Sequence, residues 1–146
     1  LRIEMGHVAG SELDGRTIPY DNSLEGLVSK KKDFIGKRSL SRAAYIKPDR
    51  EKIVGVVPID KTTSIPEGSY IVKDPNAKLP NPKLGHVSAS CWSVEHDNPF
   101  SLAIIKDGKN MIGQKLFAMS PLKNKTIPVE IVSSHYVDPK GERVRS

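Results

Sequence analysis

From residue 52 onward the chain is cut into six short β-type runs, each closed by proline, glycine or aspartate turn signals. Lys52–Val57, Tyr70–Lys73, Gly85–Trp92, Pro99–Ile105, Lys115–Met119 and Ile127–Val137 are short runs with apolar residues between turn signals, as β-strands show. Pro66–Ser69, Asp107-Gly108 and Asp138-Pro139 supply turns, and Asp74–Lys83, with three prolines, is a loop. No helical pattern alternates with these runs, so a doubly wound α/β sheet is excluded. An antiparallel barrel or a jelly-roll-like sheet is expected.

The first 46 residues read differently. Leu1–Gly6 has the spacing of a last helical turn, with Gly6 as its stop. Gly10–Asn22 is loop-like, and Leu24–Val28 is a short apolar piece of open type. Lys30, Lys31, Lys32 and Asp33 form a charge run, and Ile35–Tyr45 is expected to be a short helix ended by Pro48. The fold class is therefore mainly β (α+β), divided into residues 1–46 and 47–146.

Composition narrows the function classes. A length of 146 residues suits one domain, or one small domain plus the end of another. The formal charge of +6 admits nucleic acid, a membrane surface or an anionic ligand. Aromatic residues at 5% argue against a stacking platform for single strands. No apolar run approaches the ~20 residues of a membrane helix, and no basic stretch precedes an apolar one as in a signal peptide. Cys91 is the single cysteine, which excludes an internal disulfide, a zinc ribbon and an iron–sulfur cluster held by this chain alone. A reducing compartment, the cytoplasm, is expected.

The motif scan is mostly negative: there is no GxGxxG, Walker A, GxSxG or HExxH. His7, His86, His96 and His135 are too dispersed for a metal site. Cys91, with no basic neighbour in its run, reads as a small buried hydrophobe. Two features remain: Arg2-Ile3-Glu4-Met5-Gly6 and the Lys30–Lys32 run. On physics alone the first is a solvated ion pair on a helix end and the second a solvated basic loop.

Several motifs in order resemble a known superfamily. Arg2-Ile3-Glu4-Met5-Gly6 resembles the R-x-E-x-G signature of the aminomethyltransferase (glycine-cleavage T-protein) superfamily. Asp33-Phe34-Ile35-Gly36-Lys37 resembles its DFIG-basic element, and Gly85–Ser90 resembles a strand of its C-terminal β-domain. Within it, Gly6–Gly10, Ser29–Gly36 and Tyr136–Arg143 look most like the α subunits of heterotetrameric sarcosine oxidases.

The resemblance implies a truncated folate-binding domain over residues 1–46 and a complete β-barrel over 47–146. It implies tetrahydrofolate as cofactor, with FAD, FMN and NAD bound outside this chain and other oxidase subunits as partners. It maps the pterin-binding carboxylate onto Glu4, since a carboxylate can accept a ring N–H and an exocyclic amino group together. It brings Lys32, with Lys30 and Lys31, toward the carboxylates of the folate tail. The superfamily's catalytic Asp lies upstream, so no catalytic residue is assigned here, and the isolated chain is expected to be inactive and to self-associate through exposed apolar surface. T-protein, which acts with a lipoyl carrier, and dimethylglycine dehydrogenase are the alternatives within the superfamily. A non-enzymatic basic barrel that meets nucleic acid is the alternative outside it; low aromatic content and the lack of a nucleic-acid motif stand against it.

Overall fold

The computed structural model of the chain describes residues 1–78, 80, 82–143 and 145; Leu79 and Asn81 of the expected 74–83 loop lie outside the described residues. All six expected strands form: β1 Glu51–Pro58, β2 Tyr70–Val72, β3 Gly85–Ser93, β4 Asn98–Lys106, β5 Lys115–Ser120 and β6 Lys125–Val132. They close into an antiparallel barrel in the order β1-β4-β3-β2-β5-β6, so the barrel, not an open sheet, is the form taken. Closure is made by β6 against β1, where Gly55 pairs with Val132 and Pro58 with Val129. Full closure removes the exposed edges that an open sheet would leave.

Alternating side chains fill the barrel. Val54 and Val56 of β1, Ala103 and Ile105 of β4, Leu116 and Ala118 of β5, and Ile127, Val129 and Ile131 of β6 form one buried cluster with Ile71 and Val87. Their period of two is the strand period, so one face of each strand points inward. The opposite face of β1 and β4 is buried as well. Ile53, Phe100 and Leu102 form a second cluster outside the barrel, covered by Ile3, Val8, Val57, Cys91, Val132 and Tyr136. This explains why β4 is buried along its length up to Ile105 and reads as a nearly continuous apolar run.

Two local expectations are corrected and one is met. β6 stops at Val132 rather than Val137, because the amides of Tyr136 and Val137 donate to the Glu4 carbonyl instead of continuing a ladder (2.9 and 3.0 Å). The helix expected over Ile35–Tyr45 shrinks to a single turn, α1, Lys37–Leu40. No residue from 35 to 45 is buried, and so short a helix needs a packed face to persist. Leu1–Gly6 is the last helical turn that the spacing predicts: Met5 N–H donates to Leu1 O (3.1 Å), and Gly6, at φ +69°, closes it with Gly6 N–H to Ile3 O and His7 N–H to Arg2 O (both 3.0 Å). Among the described residues, no helix is long and apolar enough to cross a membrane.

Backbone approach is closest at Gly85, where β3 meets Ile105 of β4. A Cβ there would lie 1.9 Å from the Ile104 carbonyl oxygen, whereas one on Gly26 would meet nothing within 4 Å. Gly85→Ala is therefore expected to cost about 3 kcal/mol or more through forced separation of β3 from β4. Gly26→Ala should leave stability nearly unchanged. Urea midpoints of the two variants check this; equal midpoints would count against the close packing at Gly85.

Candidate functional site

The covered outer face of β1 and β4 carries the Arg2–Gly6 turn, and with it Glu4. Ile3 packs on the Ile53–Phe100–Leu102 cluster, which draws the next residue against the barrel. Glu4 is only 8% exposed. Its carbonyl oxygen accepts the two amides of residues 136 and 137, which fixes its backbone to the chain leaving β6. Its carboxylate lies 3.3 Å from the backbone nitrogen of Leu1, and among the described residues it takes no side-chain hydrogen bond. The solvated ion pair expected on physics alone is thus replaced by a buried carboxylate whose hydrogen-bonding capacity is mostly unused. A carboxylate oxygen pair can accept about four hydrogen bonds, so this group is equipped to bind a donor pair.

Gly6 allows that arrangement. It lies at φ +69°, and a Cβ on it would approach the Ser134 carbonyl oxygen to 2.7 Å. Only glycine adopts this backbone region cheaply while the tail passes so close. The tail is held in turn by Tyr136. Its ring stacks on Phe100 at 4.4 Å between centroids, and its hydroxyl accepts from Asn98 Nδ2 at 3.0 Å.

Cys91 packs at the edge of the same cluster and is half-buried, rather than fully buried as its sequence context suggests. Burial raises its thiol above the ordinary range, and the nearby Glu4 charge adds to the rise. This disfavours the thiolate, so the expectation of an unreactive cysteine fits.

Lys30, Lys31 and Lys32 are exposed and line an open groove of about 990 Å³ with Tyr20, Phe34 and Leu40. Lys37 also lines it, but its ammonium is engaged by Asp33 at 3.1 Å and by the Lys32 carbonyl at 3.0 Å. Among the described residues, none of the Lys30–Lys32 ammonium groups pairs with a carboxylate. The groove therefore offers three unneutralised cations beside apolar side chains. The structure brings the three lysines together in this groove, and Glu4 is not among its lining residues.

Two buried acids escaped the sequence reading. Glu12 is fully buried, with Oε2 accepting from Ala9 N–H at 2.9 Å and facing Arg2 at 3.4 Å. Asp21 is 2% exposed and binds Arg50 through both oxygens, Lys52 Nζ at 3.1 Å and Ile18 N–H at 3.1 Å. Spacing could not reveal either acid, since their partners lie on other elements. Among the described residues no cluster of three metal-ligating side chains occurs.

No family model matches the chain. The barrel and its N-terminal cover are similar to the glycine cleavage system aminomethyltransferase T of Bartonella henselae, at a TM-score of 0.74 and 21% identity over 95% of this chain and 37% of that one. Sequence similarity extends to the aminomethyltransferase of Synechococcus sp. (strain CC9902), 29% identical over 90% of this chain and 34% of that protein. The class is thus the aminomethyltransferase fold. The subunit alpha of sarcosine oxidase from Rhizobium meliloti (strain 1021) is 36% identical over 99% of this chain, and that from Corynebacterium sp. (strain P-1) is 36% identical over 98%. The chain is thus similar over nearly its whole length to a segment of sarcosine oxidase α subunits, and it spans about 15% of the length of those relatives.

Burial alone would raise the Asp21 carboxyl, but the hydrogen bonds from Arg50, Ile18 N–H and Lys52 outweigh it and hold the group below its ordinary value. The unfolded chain therefore binds this proton more readily. The stabilisation is present above pH ~4 and is lost as pH falls through the lowered folded value. Asp21→Asn is expected to destabilise the protein at pH 7 by about 3 kcal/mol, the low end for a broken buried pair because both cations reach solvent. Its unfolding curves at pH 7 and pH 3 should also differ less than those of the parent; an undiminished acid dependence would show that other carboxyls carry it.

Proposed function

We propose that this chain is the C-terminal, folate-binding part of a sarcosine oxidase α subunit. Residues 1–46 end the folate domain and residues 47–146 form its β-barrel. The parent reaction is oxidative demethylation of sarcosine: two electrons pass to a flavin, glycine is released, and the one-carbon unit joins tetrahydrofolate as 5,10-methylenetetrahydrofolate. FAD, FMN and NAD are held by regions and subunits outside this chain, in the cytoplasm.

The observation that carries this reading is Glu4, a buried carboxylate anchored through its own backbone yet short of hydrogen-bond donors. Those properties fit a pterin edge, where a ring N–H and an exocyclic amino group lie side by side. Bound tetrahydrofolate supplies the nucleophilic nitrogens that receive the one-carbon unit. Glu4 contributes recognition and orientation, which limits the geometries that the bound ring can adopt. The Lys30–Lys32 groove contributes long-range attraction for the carboxylates of the folate tail, and Lys32 also lines the apolar hollow with Phe34, Leu27 and Leu40. The Synechococcus relative supports a second reading as an aminomethyltransferase with a different amine donor. Product analysis with sarcosine as donor separates the two.

Glu4→Gln in the intact subunit is expected to weaken 5-formyltetrahydrofolate binding about 10- to 100-fold, the worth of a hydrogen bond to a charged group. Unchanged affinity by calorimetry would remove Glu4 from the site. Replacing Lys30, Lys31 and Lys32 together by alanine should weaken the pentaglutamyl form about tenfold and the monoglutamyl form little. The salt dependence of pentaglutamyl affinity should flatten in the same variant; retention of the full salt slope would place the tail elsewhere.

A further inference from the structure

Glu12 is an expensive residue for a loop. Its side chain is wholly buried, and its Oε1 has no hydrogen-bond partner. A buried carboxylate oxygen left bare costs free energy that a neutral or apolar side chain would avoid. Its other oxygen is fully engaged. Oε2 accepts the Ala9 amide at 2.9 Å and faces Arg2 NH1 at 3.4 Å. The same Arg2 nitrogen donates to the His7 carbonyl at 3.0 Å, and His7 N–H donates back to the Arg2 carbonyl at 3.0 Å. One carboxylate thus ties together both ends of the loop from Arg2 to Ala9, with Glu4 at its middle.

The loop is gripped from the opposite side as well. Tyr136 and Val137 hold the Glu4 carbonyl, and Gly6 rests against Ser134. These two grips act on different atoms, so Glu4 can neither swing about the Arg2–His7 closure nor slide along the tail. We infer that Glu12, acting through Arg2, is a positioning residue that fixes the direction in which Glu4 presents its carboxylate, and so sets selectivity for the pterin edge. This rests on the reading of Glu4 as the pterin-binding group. A carboxylate that reads two adjacent donors is sensitive to its angle, because losing alignment with one donor forfeits the bidentate geometry.

The test compares two probes in the intact subunit: 5-formyltetrahydrofolate and its 2-desamino analogue, which lacks the exocyclic donor. The readout is the ratio of their dissociation constants for the parent, Glu4→Gln, Glu12→Gln and the double variant. The ratio is expected to fall about tenfold in each single variant and no further in the double, since coupled groups are non-additive. If Glu12→Gln weakens both probes equally and leaves the ratio intact, Glu12 only supports folding and the inference is overturned. Independent falls that multiply in the double variant overturn it too. If Glu4→Gln itself leaves the ratio unchanged, the pterin reading of Glu4 fails first, and the inference fails with it. Should Glu12→Gln not fold, Arg2→Gln breaks the same link from its half-exposed end and is read by the same ratios.

Discussion

Buried side chains line both faces of β4, so this strand cannot present a solvent face to the outside of the barrel. Its inward residues, Ala103 and Ile105, belong to the barrel interior, and its outward residues, Phe100 and Leu102, need a separate cover. That requirement places the rest. The N-terminal turn supplies Ile3 and Val8, and the chain beyond β6 supplies Tyr136. Once both segments lie on one patch they are close enough to bond each other, which is how the Glu4 carbonyl meets the amides of residues 136 and 137. The candidate pterin-binding group is thus located by apolar burial and oriented by hydrogen bonds.

How much of this was legible in the sequence follows from the range of each interaction. The six strands were legible because period-two patterning and turn residues are local signals. Barrel closure was left open against a jelly roll, since the β1–β6 pairing joins residues more than seventy positions apart. The end of β6 was misplaced for a related reason: Ser133–Val137 still has strand-like composition, and only the distant Glu4 carbonyl diverts its amides. The helix after Ile35 was overextended because its apolar residues suggested a face that the structure does not bury. At the site, the family resemblance pointed to Glu4 and the lysines, while the burial of Glu4 was invisible. Arg2 and Glu12 lie ten residues apart, at a spacing that matches no local motif.

Charge gives the molecule its asymmetry. Among the described residues the buried acids are Glu4, Glu12 and Asp21, all in the first 21 positions, while Ile18 is the one buried hydrophobic side chain before Ile53. Asp21 ties the N-terminal stretch to Arg50 and Lys52, Glu4 and Glu12 pair within the stretch itself, and Ile3 and Val8 pack on the outer cluster, whereas the barrel is held together mainly by apolar burial. These attachments differ in kind. Apolar burial is non-directional and tolerates small shifts, whereas a carboxylate shared among several donors specifies positions and angles. A segment held in the second way loses stability when a single partner is removed, since each bare charge is then uncompensated. It also holds its own polar groups in defined directions, which is what recognition of a flat heterocycle with an ordered donor edge requires. The formal charge of +6 is set by composition, and among the described residues Lys30–Lys32 stand on the exposed surface without counter-charges of their own.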